Sequence, residues 1–84
     1  MNRKQRNTYD AIFAQPIRRN VVWNDVVSLI TALGGTVTQG NGSRLRFDLN
    51  DISLNIHSPH PQKELKRYQV KAVREFLVNA GVDL

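Results

Sequence analysis

The sequence of 84 residues contains no cysteine and no long hydrophobic run. The lack of cysteine excludes disulfide bonds, thiolate zinc sites, iron–sulfur clusters and cysteine nucleophiles. The longest wholly apolar runs are three or four residues, whereas a membrane-spanning helix needs roughly 20. No apolar segment follows the basic start of the chain, so no secretory signal is predicted. We therefore expect one small cytoplasmic domain that does not contact a membrane.

Acidic residues are also scarce, and their shortage gives the chain a strong positive charge. Seven Asp and Glu residues stand against twelve Lys and Arg residues, a net charge of +5, and eight of the twelve are arginine. Residues 1–20 hold five cations and one acid, and residues 44–84 hold seven cations and five acids. Guanidinium groups match phosphate geometry, so this balance favours a polyanionic partner, although charge runs are also typical of solvated helix faces.

Two helices are predicted in the first half of the chain. The first is indicated by apolar residues with helical spacing, Tyr9, Ile12 and Phe13. It is capped or continued by Thr8, runs to about Ala14 and is ended by Pro16. The second begins at Asn24 as N-cap and stops at Gly34. Its apolar residues recur at i, i+3, i+4 and i+7 as a core-facing stripe: Val26, Leu29, Ile30 and Leu33.

Three strands and a last helix are predicted in the second half. The stretch 36–39 is rich in β-branched residues, and Arg44–Leu49 and Ile52–His57 alternate apolar with polar residues as half-buried strands do. A final helix starts at about Gln69 and ends at Gly81. The order α-α-β-β-β-α predicts an α+β fold, a two-layer sandwich with a three-stranded antiparallel sheet and helices on one face.

The register of the second and third strands is predicted from the turn between them. Asn50 and Asp51 suit a two-residue hairpin, because both tolerate positive φ. Counting outward from this turn places Arg44 opposite His57 on the polar face of the sheet. We expect no helix to cover this face. The other polar-face pair on these strands is Arg46 with Asn55.

Several segments carry a family likeness. They are the helix Asp25–Leu33 with its Gly34-Gly35 stop, Gly42–Phe47, His57–Lys66, and Val70–Leu77 with Ala80-Gly81. In these residues, and most specifically in the loop with His60-Pro61 and Lys63-Glu64, the chain resembles the HicA toxins of bacterial toxin–antitoxin pairs. Residues 1–22 lie outside the likeness. We interpret them as a basic N-terminal extension with a short helix, followed by a HicA-like domain over residues 23–84.

The resemblance implies a fold similar to that of a double-stranded-RNA-binding domain. It also implies metal-independent cleavage of mRNA, no cofactor, and neutralisation by a HicB antitoxin. One position departs from the family pattern: Arg44 stands where the family has a catalytic histidine after Gly-Ser. An arginine stays protonated, so it cannot act as a general base, but it can stabilise charge on a phosphorane. The departure leaves open an alternative, a catalytically silent module of the same fold that binds RNA or an antitoxin.

Histidines are the candidates for the missing base. RNA supplies its own nucleophile, the 2′-hydroxyl, so a ribonuclease needs a base, an acid and cations near the phosphate. Imidazole is the usual base or acid near neutral pH, and the chain has only His57 and His60. We expect one of them to take over the base role beside Arg44. Further residues expected to hold RNA are Ser43, Arg46, Lys63, Lys66, Arg67 and Lys71.

Other uses of these residue types are less favoured by the sequence. Tyr68 lies among cations and is the better candidate for stacking on a base, whereas Tyr9, Phe13 and Trp23 have the spacing of core residues. A zinc site from the two histidines and Glu64 lacks a supporting framework. A DNA-binding protein is a third class, but no helix-turn-helix spacing is present.

Overall fold

The computed structural model describes residues 1–59 and 62–84. Its elements in chain order are α1 (Arg3–Ile12), α2 (Trp23–Ala32), β1 (Thr36–Gln39), β2 (Arg44–Leu49), β3 (Ile52–His57) and α3 (Arg67–Asn79). The strands form one antiparallel sheet in the order β1-β2-β3. The predicted α+β fold and its order of elements are therefore confirmed.

The β2–β3 hairpin has the register that the turn residues predicted. Asn50 and Asp51 both have positive φ, at 50° and 66°, the pattern of a type I′ turn that matches the twist of the flanking strands. Leu49 pairs with Ile52, and at the far end of the hairpin Arg44 pairs with His57. The polar side chains are thus aligned in rows along one face.

The two faces of the sheet differ as the alternation of residues requires. Phe47, Leu49 and Ile56 are buried under the helices, while Arg44 and His57 on the opposite face are exposed. Trp23 stacks on Phe47, with ring centroids 5.5 Å apart. The remaining core is apolar and comes mainly from the three helices. The interpretation of Tyr9, Phe13 and Trp23 as core residues is confirmed, because Tyr9 is buried and the other two pack against the core cluster.

The first helix begins at Arg3, five residues before Thr8, the residue that was expected to cap or continue the turn. Asn2 is the N-cap: its side chain accepts from the Gln5 amide at 2.8 Å, and the Gln5 side chain accepts from the Asn2 amide at 2.8 Å. This reciprocal pair satisfies two amides that a helix start leaves free. Thr8 is buried inside the helix and donates its hydroxyl to the Lys4 carbonyl at 2.9 Å. Of the two predicted roles, Thr8 therefore continues the helix and does not cap it.

The starts of the other helices also differ from prediction. The N-cap of α2 is Val22, and Asn24 lies inside the first turn. The cause is a short backbone pairing, in which the Trp23 amide donates to Lys63 and the Leu65 amide donates to Val21, each at 2.8 Å. This pairing ends the extended chain just before Trp23. The last helix starts at Arg67, two residues before the predicted start.

Candidate functional site

Arg44 and His57 lie side by side at the open end of the β2–β3 hairpin. They are cross-strand partners, and both are exposed on the sheet face that no helix covers. Side chains of such partners start from Cβ atoms about 4.5–5.5 Å apart. Within residues 1–59 and 62–84, neither side chain forms an ion pair. A guanidinium and an imidazole therefore face solvent together, both available to a ligand.

A tight loop fixes the start of β2 and so the position of Arg44. The Arg44 amide donates to Asn41 at 3.2 Å, and the Gly40 amide donates back to the Arg44 carbonyl at 2.9 Å. Gly42 makes this turn with a φ of +63°, a conformation that glycine adopts without a side-chain clash. On the other side, the Ser58 amide donates to the Ser43 carbonyl at 2.8 Å, which continues the strand pairing by one residue.

Gln69 connects the end of β3 to the start of α3, and sequence reasoning missed it. Its side chain is buried, its amide nitrogen donates to the His57 carbonyl at 2.8 Å, and its amide oxygen accepts from the Lys66 amide at 2.9 Å. Both ends of the amide are satisfied, as buried polar groups require. Gln69 therefore holds the backbone of His57 at a fixed place relative to α3. The signal was a glutamine three residues after the helix N-cap.

Arg46 is on the same face as Arg44 but has an acidic partner. Its guanidinium lies 3.1 Å from the carboxylate of Asp48, and it also donates to the Ser53 hydroxyl at 3.0 Å. The strand thus carries two arginines in different states, since the charge of Arg46 is largely offset while that of Arg44 is not. The prediction that Arg46 holds RNA did not anticipate this ion pair.

The two strand ends border a surface depression with a volume of about 770 Å³. Arg44, Arg46 and His57 line it, together with Tyr68 and Gln69 from the start of α3. Tyr68 is 63% exposed, so its ring is free to take a stacking partner. We call this depression the hairpin-end site. It brings together cations, an imidazole and an aromatic ring.

The structure does not place the remaining predicted site residues in the hairpin-end site. Lys66 and Arg67 line a second depression of about 710 Å³. Ser43, Lys63 and Lys71 are exposed, and they line neither depression. His60 lies outside the described residues. Arg74, on the same helix as Lys71, is not free for a ligand, because its guanidinium donates to the carbonyls of Ile12 and Ala14.

In the described part of the chain, no group of three or more His, Cys, Asp or Glu side chains is placed to hold a metal ion. None of the described helices is long and apolar enough to cross a membrane.

A model of a known protein family matches most of the chain. The family model described as the HicA toxin of bacterial toxin–antitoxin pairs matches residues 23–82. No curated protein and no solved structure matches the chain. The matched region begins with α2 and ends after α3, so it contains the whole sheet and the hairpin-end site. Because the match covers more than two thirds of the sequence, the chain belongs to the family of HicA toxins of bacterial toxin–antitoxin systems.

Proposed function

We propose that this protein is an endoribonuclease that cleaves mRNA without a metal ion and is inhibited by a HicB-type antitoxin. The observation that carries the proposal is the pairing of Arg44 with His57 on the uncovered end of the sheet. Membership of a toxin family and a net charge of +5 support it, because a phosphate-rich substrate favours a basic surface.

His57 is the proposed base in the cleavage step. The base removes the proton of the 2′-hydroxyl, and the 2′ oxygen then attacks the adjacent phosphorus. The bond between this phosphorus and the 5′ oxygen of the next nucleotide breaks. The 5′ oxygen leaves with a proton from a protonated imidazole or from water. The products are a 2′,3′-cyclic phosphate and a 5′-hydroxyl. His57 is suited to the base role because it is exposed and its backbone is held by Gln69. His60 stays the second candidate.

Arg44 is the proposed stabiliser of the reacting phosphate. Its guanidinium has no acidic partner among the described residues, so it can donate paired N–H groups to the non-bridging oxygens. These donors gain strength as negative charge builds on the phosphorane. Arg46 and Lys63 are proposed to make supporting contacts with the phosphate. The contribution of Arg46 to phosphate binding is reduced by its ion pair with Asp48.

The rest of the RNA is expected to run along the start of α3. Tyr68 is exposed beside the paired residues and offers a face for a base, a contact that favours unpaired nucleotides. Lys66, Arg67 and Lys71 are exposed cations on and next to the same helix, and Ser43 offers a hydroxyl at the strand end. A substrate of this kind, mRNA, places the proposed activity in the cytoplasm.

A second candidate function is a silent module that binds RNA or the antitoxin without cleavage. The observation in its favour is Arg44 itself, which cannot act as a base. The two candidates differ in one respect that can be measured. A nuclease shortens RNA, whereas a silent module binds it and leaves its length unchanged.

Induced expression in bacteria tests the proposal. We expect the wild-type chain to arrest growth and shorten messages, and co-expression of a HicB-type antitoxin to restore growth. His57→Ala is expected to lower RNA cleavage by about 10²–10⁴-fold, the usual contribution of a general base. His60→Ala is the matched variant, since it removes the only other imidazole. Full toxicity of both single variants and of the double variant, at equal protein levels, would refute the assignment of a histidine base.

A further inference from the structure

A second depression, which we call the basic cleft, lies outside the hairpin-end site. Its volume is about 710 Å³. Its charged lining residues are Arg18, Arg19, Glu64, Lys66 and Arg67. Arg18 and Arg19 precede the part of the chain that matches the family model. The basic cleft is therefore built partly by a segment that lies outside the family match.

The charges of the basic cleft are strongly unbalanced. Four cations and one acid line it, and within the described residues none of the four cations forms an ion pair. Like charges that share a depression repel one another unless a counter-charge lies among them. Three of the four cations are arginines, whose planar donor groups match phosphate or carboxylate oxygens. An anionic ligand would therefore relieve the repulsion and satisfy the donors.

The position of the basic cleft favours RNA as that ligand. Arg67 lines the basic cleft, and the next residue, Tyr68, lines the hairpin-end site. Neighbouring residues have Cα atoms about 3.8 Å apart, so the two depressions flank the first turn of α3. A nucleic-acid strand that leaves the hairpin-end site past Tyr68 and bends around this turn would reach the basic cleft. An acidic surface of a protein partner would have no such reason to follow this path.

We propose that the basic cleft is a subsite for the RNA backbone, in which Arg18, Arg19, Lys66 and Arg67 hold phosphates next to the scissile one. The inference rests on the proposed ribonuclease function and deepens it. It makes the substrate a single strand long enough to span both depressions. It also gives the N-terminal segment a role in binding RNA.

The test measures binding of RNA that cannot be cleaved. The double variant Arg18→Ala/Arg19→Ala is compared with wild type on fully 2′-O-methylated oligonucleotides of about three nucleotides, which is below typical single-strand site sizes, and of about twelve nucleotides, which is within them. We expect affinity for the longer strand to fall by at least about tenfold, and the salt dependence to weaken by about 0.7 in slope for each lost phosphate contact. Affinity for the shorter strand should not change.

Two control variants separate a subsite from a general effect of charge. Arg3→Ala/Arg6→Ala removes the same charge from α1, whose residues line neither depression, and should change binding little. Glu64→Gln removes the single acid of the basic cleft and should strengthen binding of the longer strand. Opposite effects at Glu64 and at the arginines are not expected from a loss of folding.

Several outcomes would overturn the inference. Equal binding of the longer strand by wild type and the Arg18/Arg19 double variant would do so, as would an equal loss in the Arg3/Arg6 control. Loss of antitoxin binding with RNA binding unchanged would assign the basic cleft to the protein partner instead. Because the oligonucleotides cannot be cleaved, wild-type binding without cleavage of ordinary RNA would refute the ribonuclease proposal and leave the subsite standing.

Discussion

Gln69 is 2% exposed and uses both ends of its side-chain amide, towards His57 on one side and Lys66 on the other. A buried group that loses its partner costs about 1–3 kcal/mol, more than a typical hydrogen bond contributes. Since Gln69 touches only the backbone of His57, its role in the proposed site is to position that residue. Its contribution should therefore be seen first in stability.

We predict that Gln69→Met lowers the free energy of unfolding by about 1–3 kcal/mol, because the shape is kept while two partly buried backbone groups lose their partners. Urea unfolding followed by the fluorescence of Trp23, the single tryptophan, measures this. Gln39→Met, an exposed residue that lines the same depression, should change stability by no more than about 0.5 kcal/mol. Equal stability of the two variants would contradict the positioning role.

At the residue scale, the sequence predicted neighbours within a hairpin but not contacts between distant segments. The pairing of Arg44 with His57 follows from turn length and the two-residue period of strands, which are local properties. The ion pair of Arg46 with Asp48 needed knowledge of side-chain orientation along the strand. The contact of Gln69 with His57 depends on where α3 packs against the sheet, which no local pattern specifies.

At the element scale, the β2–β3 hairpin depends on its two turn residues. Asn50 and Asp51 both have positive φ, and the Asn50 side chain donates to the carbonyl of Ala80, just after α3, at 2.9 Å. Asn50 therefore sets the turn and also attaches it to the C-terminal end of α3. Asp51 has only the conformational role, for which glycine is the favoured residue.

We predict opposite effects of two substitutions in this turn. Asn50→Ala should lower the free energy of unfolding by about 1–3 kcal/mol, because alanine tolerates positive φ less well than asparagine and the change removes the hydrogen bond to Ala80. Asp51→Gly should leave stability unchanged or raise it by up to about 1 kcal/mol, since glycine adopts this φ without strain. Thermal unfolding of both variants compares them directly. A larger loss for Asp51→Gly than for Asn50→Ala would contradict this account of the turn.

The sequence predicted that the three helices exist, but it did not predict where they start. Apolar spacing located all three helices, because each has one face in the core. Their starts depend on capping contacts and on chain direction. Asn2 and Gln5 cap α1 in a stretch without apolar residues, and the start of α2 is set by the pairing of residues 21–23 with residues 63–65.

At the scale of the whole molecule, α1 is packed into the same core as the sheet and α3. Ile12 is 0% exposed. The Arg74 guanidinium donates to the carbonyls of Ile12 at 2.9 Å and Ala14 at 3.0 Å, and lies 5.8 Å from the centroid of the Phe13 ring. These carbonyls end α1 and lack helical partners, so Arg74 caps one helix from another. The division of the chain at residue 22 stays a prediction from the sequence.

We predict that Arg74→Met lowers the free energy of unfolding by about 1.5–3 kcal/mol, the range for hydrogen bonds to a charged group. The aliphatic stem is kept, so the loss reports on the capping contact with α1. Lys71→Met on the exposed side of the same helix is the matched control and should change stability by no more than about 0.5 kcal/mol. Chemical denaturation of both variants gives the comparison, and similar losses would mean that Arg74 does not hold α1 in place.

The most direct measurement of the central claim is cleavage of a defined RNA oligonucleotide by the purified protein, with identification of the new ends. The account predicts a 2′,3′-cyclic phosphate and a 5′-hydroxyl, no cleavage where the attacking 2′-hydroxyl is replaced by hydrogen, and a loss of about 10²-fold or more for Arg44→Ala, as for other charge-stabilising donors. Cleavage that persists without the 2′-hydroxyl, or that is unchanged by Arg44→Ala, would contradict the chemistry assigned to the hairpin-end site.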